Sequence, residues 1–409
     1  MKEGHARYGA PAGTWRLGLA GFFAIAVAFG PARNGFGLFL PDFRREFGLS
    51  TEMSGVIAGG SYGGYLVALS LVGMFASRFG PRLFLTVGGL LATIGMLLVA
   101  LASNVLVLAT GLVLAASYAG WSWSPYNDAV ERGVPPKSRG RVLSAISTGT
   151  AFGLAVAGFI ALAVGIWGLS WRAAWLGFAA TALVVTVWNA RALPTGVQRS
   201  GSGAPGQKAG PGWLLRPGSV VLFVVASSFG VVTGFYWSFA VDLISRSGVL
   251  PEEVGPVFYV ALGAVGFVGL LTGDAIERFG LRPTLAACFV SLGFVGLFLG
   301  FAPASWAAVG ASAAFLGAGV MCTSALLSVW SSLLFPERPS TGFSVALLFV
   351  GVGSIVGPVA LGALAGHSGL AAAFLVAGVL AFLTASAAAL ARTSGDPSGN
   401  PASNPTQER

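Results

Sequence analysis

A ten-residue stretch, Gly73 to Arg82, returns two hundred positions later as Gly273 to Arg282; Gly73, Arg78, Phe79, Gly80 and Arg82 match Gly273, Arg278, Phe279, Gly280 and Arg282. The echo runs back without a gap to Phe29-Gly30 and Phe229-Gly230. Between these ends, Phe39, Asp42, Gly48, Glu52, Gly55, Gly63 and Leu71 match Phe239, Asp242, Gly248, Glu252, Gly255, Gly263 and Leu271. That makes 14 identities in the 54 positions from 29 to 82, with Asp, Glu and two Arg in one register. Apolar composition alone does not produce such a register, so the chain reads as two tandem copies of one structural unit.

The nature of the unit follows from its polarity. Charged residues make up 9% of the chain, hydrophobic ones 55%, and the mean hydropathy is +0.81; a soluble domain is about a quarter charged. Apolar runs long enough to cross a bilayer core of roughly 30 Å as helix recur along the chain. They predict spans near 15–40, 53–76, 83–102, 105–125, 142–167 and 171–190, then 220–240, 254–276, 283–301, 306–327, 343–365 and 370–391. The expected fold is therefore an all-α integral membrane protein with twelve transmembrane helices in two six-helix pseudo-repeats. Residues 1–14 form an N-terminal segment, 15–193 the first half, 194–217 a linker, 218–392 the second half and 393–409 a disordered tail. The linker carries a Gly/Ser/Ala/Pro-rich run from Gly201 to Gly212, a flexible composition where the repeat requires a joint. The first span has signal-peptide features, but as the repeat partner of the seventh it is kept as a membrane helix.

Orientation comes from the basic residues. With an even number of spans both ends share a side, and 18 Lys and Arg fall there against Arg44, Arg45, Arg172 and Arg246 on the other. The positive-inside rule then makes both termini, the linker and both motif copies cytoplasmic, in a multi-pass protein of the cell (inner) membrane. Arg33 is the one remaining basic residue, and it lies within the first span.

Twelve spans in two related halves, with Gly-x3-acid-Arg-x-Gly-x-Arg after the second and eighth spans, resemble the major facilitator superfamily of secondary transporters. This chain departs from that pattern at Ser77, where the family usually has Asp; Glu277 keeps the acid in the second copy. The resemblance implies that this acid latches the cytoplasmic side by pairing across the halves, with Glu277 near Arg139 and Arg141. Arg78, Gly80, Arg82, Glu277, Arg278, Gly280, Arg282, Arg139 and Arg141 are thus the candidate gating residues. Independently of the family, glycine at 80 and 280 permits a sharp turn, and the arginines suit an anionic inner leaflet. The resemblance also implies a central cavity lined by the first, fourth, seventh and tenth spans, exposed alternately to either side as the halves rock.

Polar residues in those spans give the candidate substrate contacts: Arg33 and Asn34, then Trp123, Tyr126 and Asn127, then Tyr236 and Trp237, and Thr323. Pro31 and Pro125 remove backbone hydrogen bonds, tolerated at membrane depth beside protein or a water-filled cavity. Arg33 is the sharpest candidate. An arginine inside a span costs roughly 3 kcal/mol on insertion scales, so it is paired or faces water. It lies roughly 10 Å from the end of the span, far for snorkelling, although a structural bond to backbone carbonyls also accounts for it. Its repeat partner is Thr233, so the charge is not duplicated, which suits one anionic group on a small substrate. Asp128 reads either as an interfacial charge paired with a nearby arginine or as a coupling acid. Asp42 and Asp242 read as structural residues at the outer mouth.

Enzyme chemistry finds no inventory here: no metal-ligand cluster, no P-loop, no nucleophile with a base in reach by sequence. The two cysteines, Cys288 and Cys322, fall in apolar segments and imply neither disulfide nor metal site. The basic residues sit in short loops rather than one patch, which excludes a nucleic-acid partner as their purpose. The expected protein is a cofactor-free, monomeric transporter whose partners are a small organic solute and the lipid bilayer. A carboxylate is the favoured substrate. The alternatives are an exporter of hydrophobic compounds and a non-transporting membrane sensor.

Overall fold

The computed structural model describes residues 11–193, 216, 218–337 and 339–390. The expected tail over 393–409 lies outside the described residues, as does the expected linker over 194–217 apart from Arg216. Twelve described helices are long and apolar enough to cross a membrane, six in each half. Helix α1 comprises Pro11–Val27, a π turn Ala28–Ala32, and Arg33–Phe47. It is followed by α2 (Thr51–Phe79), α3 (Pro81–Ala100), α4 (Val105–Gly133), α5 (Pro136–Ile166) and α6 (Trp171–Ala192). The second half opens with α7 (Ser219–Arg246); α8 runs Val254–Gly266, a 3-10 turn Phe267–Leu271, and Thr272–Phe279. Then come α9 (Leu281–Phe301), α10 (Trp306–Leu334), α11 (Pro339–Ser368) and α12 (Leu370–Leu390).

Several helices outrun their apolar cores. Helix α4 continues through Pro125 to Gly133, and α5 begins at Pro136 rather than Val142. Hydropathy marks the hydrocarbon layer, while a helix keeps its backbone bonded into the interface, where Asp128, Arg132 and Lys137 reach water.

The repeat is visible in the turns and in the helix crossings. Gly80 and Gly280 adopt φ of +73° and +86°, the left-handed half of the map that glycine enters freely. These turns define one face of the molecule, here the motif face. On the far face Gly48 and Gly248 both have φ of +64°. Within the halves, a Cβ on Gly30 would strike Gly153 of α5, and one on Gly230 would approach Gly353 of α11. Both partners are again two hundred positions apart, so α1 crosses α5 as α7 crosses α11. Backbone contact of this closeness is how membrane helices associate, since lipid offers no hydrophobic drive between them.

The two halves meet on the far side of the membrane. A Cβ on Gly37 of α1 would overlap the Trp237 carbonyl of α7. One on Gly55 of α2 would collide with the Pro358 carbonyl of α11, and one on Gly158 of α5 would lie 2.7 Å from the Pro256 carbonyl of α8. An ion-pair network closes the end. The Asp242 carboxylate, 2% exposed, receives Arg44 at 3.4 Å from the other half and Arg246 at 2.6 Å from its own helix. Both guanidiniums also reach the Thr51 hydroxyl, at 3.1 and 3.0 Å. Arg45 bridges Asp42 (2.8 Å) and, across the halves, Glu252 (2.7 Å), but this outer pair is well exposed and weak in water.

Removing Asp242 leaves two guanidiniums crowded without their common anion, which costs up to about 3 kcal/mol given that both keep some water. Asp242→Asn is therefore expected to raise labelling of a cysteine at Leu38 from the far face by up to roughly a hundredfold, in a background free of native cysteines. Gly37→Val is expected to act in the same direction by overpacking against Trp237. Unchanged labelling in both would show that neither contact holds the seal.

Candidate functional site

Proline at position 31 has no N–H to give the helix and crowds the preceding turn. Helix α1 absorbs this by inserting one extra residue as the π turn Ala28–Ala32, a device frequent at functional sites. The turn leaves the Phe29 carbonyl to accept from the Asn34 side-chain amide at 2.5 Å, and Arg33 emerges directly after it. The Arg33 guanidinium stands 4.4 Å from the ring centroid of Tyr65, 5.2 Å from Tyr62 and 5.5 Å from Phe29. Among the described residues no carboxylate pairs with it within 4 Å. Each ring face contributes about 0.5–2 kcal/mol to a cation, together on the scale of the roughly 3 kcal/mol that inserting an arginine requires. Tyr62 and Tyr65 are buried, while Arg33 itself is half-buried. The cation is solvated by rings and keeps its own hydrogen-bonding capacity.

Asn34 is 5% exposed, and its side-chain oxygen has no partner among the described residues. Its backbone carbonyl accepts from the Tyr259 hydroxyl of α8 at 2.8 Å, and the same hydroxyl lies 3.4 Å from the Trp237 carbonyl. Tyr259 thus ties α1 to both α7 and α8 where Gly37 meets Trp237, and the result is a barrier across the molecule. Arg33 lies on its motif side. On its far side a cavity of about 740 Å³ is lined by Asp42, Arg44, Asp242 and Glu252, a vestibule rather than the Arg33 site.

The other expected contacts divide. Trp123 is half-buried and meets Phe29 edge-on at 6.5 Å, and Asn127 stands half-buried one turn further along α4. These extend the Arg33 cluster. Trp237 is half-buried at the barrier. Tyr126 and Tyr236 turn away from it. The Tyr126 hydroxyl donates to the Ala20 carbonyl at 3.2 Å and contacts the Asn189 side chain, which joins α4 to α1 and α6. Tyr236 donates to the Leu292 carbonyl at 3.1 Å and stacks on Phe374 at 5.3 Å, inside the second half. Both are fully buried, and both hydroxyls are committed to helix packing. Thr323 is fully buried in α10, its hydroxyl without a partner among the described residues.

Glu277 is exposed, and among the described residues no ion pair joins it to α5. The Arg139 guanidinium donates instead to the Val134 carbonyl at 3.1 Å and to that of Glu131, while Arg141 is exposed. Arg78 and Arg278 lie over Phe79 and Phe279 at 5.6 and 5.4 Å, the same arrangement in both copies. Arg82 and Arg282 are half-buried at the starts of α3 and α9. Asp128 pairs with Arg132 at 2.6 Å, one turn along its own helix, in the manner of an interfacial charge. The Asp242 network was not among the expected gates. Its signal was the duplication of Asp42 and Glu52 together with three of the four far-face arginines at the ends of α1 and α7.

Comparison with known proteins agrees with this architecture. The family model of the Major Facilitator Superfamily matches residues 19–273 and 222–408. "Transcription regulatory protein OpdE" of Pseudomonas aeruginosa is 31% identical over 322 residues, 73% of this chain and 76% of that protein. "Monocarboxylate transporter 13" of Bos taurus is 27% identical over 396 residues, 92% of this chain and 88% of that protein. Among solved structures, a bacterial homologue of the human lysosomal transporter Spinster, inward-facing and unoccupied, superposes with a TM-score of 0.76. That likeness covers 94% of this chain and 98% of that one at 17% identity, and so speaks to the fold. With twelve spans in two related halves and the family model across nearly its whole length, the chain belongs to the Major Facilitator Superfamily of membrane transporters.

Proposed function

We propose that this transporter moves a small organic anion bearing one carboxylate, by alternating access about the Arg33 site. The observation that carries the reading is the Arg33 guanidinium, half-buried at mid-span, ringed by aromatic faces and without a carboxylate partner among the described residues. One uncompensated positive charge at membrane depth selects one negative charge, and a guanidinium grips a carboxylate through two parallel hydrogen bonds. Asn34, Trp123, Asn127 and Trp237 would contact the rest of the solute. The distant relative named a monocarboxylate transporter lends support.

In this reading the protein is a monomer in the cell (inner) membrane with its motif face cytoplasmic. Closure on the far side then makes the described conformation inward-facing. Alternating access requires the far-face network to open as the motif residues come together, with Glu277 meeting Arg139 or Arg141.

A second reading has its own observation. The relative at 31% identity is named a transcription regulatory protein, which favours a membrane sensor on the same fold. Counterflow uptake into proteoliposomes across carboxylates, amines and dyes separates the readings. Carboxylate uptake supports the proposal, uptake of hydrophobic dyes alone favours an exporter, and binding without uptake favours a sensor.

Three outcomes test the details. Arg33→Gln is expected to raise the KM for a transported carboxylate roughly ten- to a hundredfold, the worth of charge-assisted hydrogen bonds, while thermal stability in detergent holds or rises. Arg33→Lys is expected to fall between, and normal uptake by Arg33→Gln would end the carboxylate reading. For orientation, a cysteine at Lys137 is expected to label only from the cytoplasm and one at Leu169 only from outside; the reverse pattern would invert the topology. For the latch, Glu277→Gln is expected to increase labelling of cavity cysteines from the cytoplasm, whereas Ser77→Ala leaves it unchanged. Equal effects of the two would remove the asymmetry.

A further inference from the structure

We propose that Tyr65, not a contact foreseen from sequence, is a positioning residue: with the Tyr62 ring beside it, it orients the Arg33 guanidinium for anion capture. The proposal rests on the reading that Arg33 holds the substrate anion. Both tyrosines come from α2, three residues apart, so they lie on one face of that helix and present two rings to one cation. Tyr65 is the nearer, with its centroid 4.4 Å from the guanidinium carbon. A cation held against a ring face has its plane constrained and its N–H edges left over, which is the geometry a carboxylate needs. A carboxylate neighbour would neutralise Arg33 and compete with substrate; an aromatic neighbour does neither.

The test uses the full-length protein in proteoliposomes, with acetate, L-lactate and benzoate as probes, and phenylglyoxal modification of Arg33 read by mass spectrometry. Tyr65→Leu is expected to raise KM roughly three- to tenfold with Vmax retained, and to change the rate of Arg33 modification; Tyr65→Phe, which keeps the ring, restores both. In an Arg33→Gln background, Tyr65→Leu is expected to add nothing to KM. If Arg33→Gln impairs uptake but Tyr65→Leu changes neither KM nor Arg33 reactivity, the positioning role is overturned while the substrate reading stands. If Arg33→Gln carries all three probes normally, or wild type carries none, the substrate reading itself fails. Equal changes of KM and Vmax in Tyr65→Phe and Tyr65→Leu would show a folding role and overturn the positioning role.

Discussion

One oxygen of the Asp242 carboxylate draws a guanidinium from each half of the molecule into a space that is 2% exposed. A carboxylate so enclosed is stable only with its partners in place, so the ends of α1 and α7 are held together wherever that pairing persists. From there the consequences run inward along the same two helices. Gly37 is brought onto the Trp237 carbonyl, and Tyr259 can then reach the Asn34 carbonyl and the Trp237 carbonyl with one hydroxyl. The barrier above Arg33 is thus an extension of the charge cluster at the surface. Opening the far face would separate Arg44 from Asp242 and lift Tyr259 off α1. A packed interface of this sort has discrete arrangements rather than a continuous range.

What could be read from the chain beforehand was whatever depends on local chemistry or on the repeat. The shift of two hundred positions foretold the equivalent turns at Gly80 and Gly280, and the same shift relates the Gly30–Gly153 and Gly230–Gly353 crossings. Pro31 announced the break in α1, although not that the break would take the form of a π turn. The facing of individual residues was not legible. Tyr126 and Trp123 are three positions apart on α4, yet one bonds to Ala20 and Asn189 and the other meets Phe29 beside Arg33. Polarity and span number do not distinguish them; only the placement of α1 and α6 does. The Arg44–Asp242 and Arg45–Glu252 pairs join residues about two hundred positions apart, and no local pattern records such a meeting.

The asymmetry of the charge has a structural origin in the same break. In the second half Thr233, the repeat partner of Arg33, donates its hydroxyl to the Phe229 carbonyl four residues back, at 2.6 Å. In the first half the equivalent carbonyl, that of Phe29, is reached instead by Asn34, five residues on. The extra residue of the π turn advances the register by one, so that Asn34 takes the place Thr233 occupies in the other copy. Arg33 is thereby released from satisfying the backbone and turned toward the rings of α2. A plain α-helix would have set position 33 where Thr233 sits, against its own helix. Proline at 31 and arginine at 33 therefore belong to one device: the first shifts the helix, and the shift gives the second a place to stand. The first copy holds both the bulge and the cation; the second, with Val231 and Thr233 at the matching positions, holds neither.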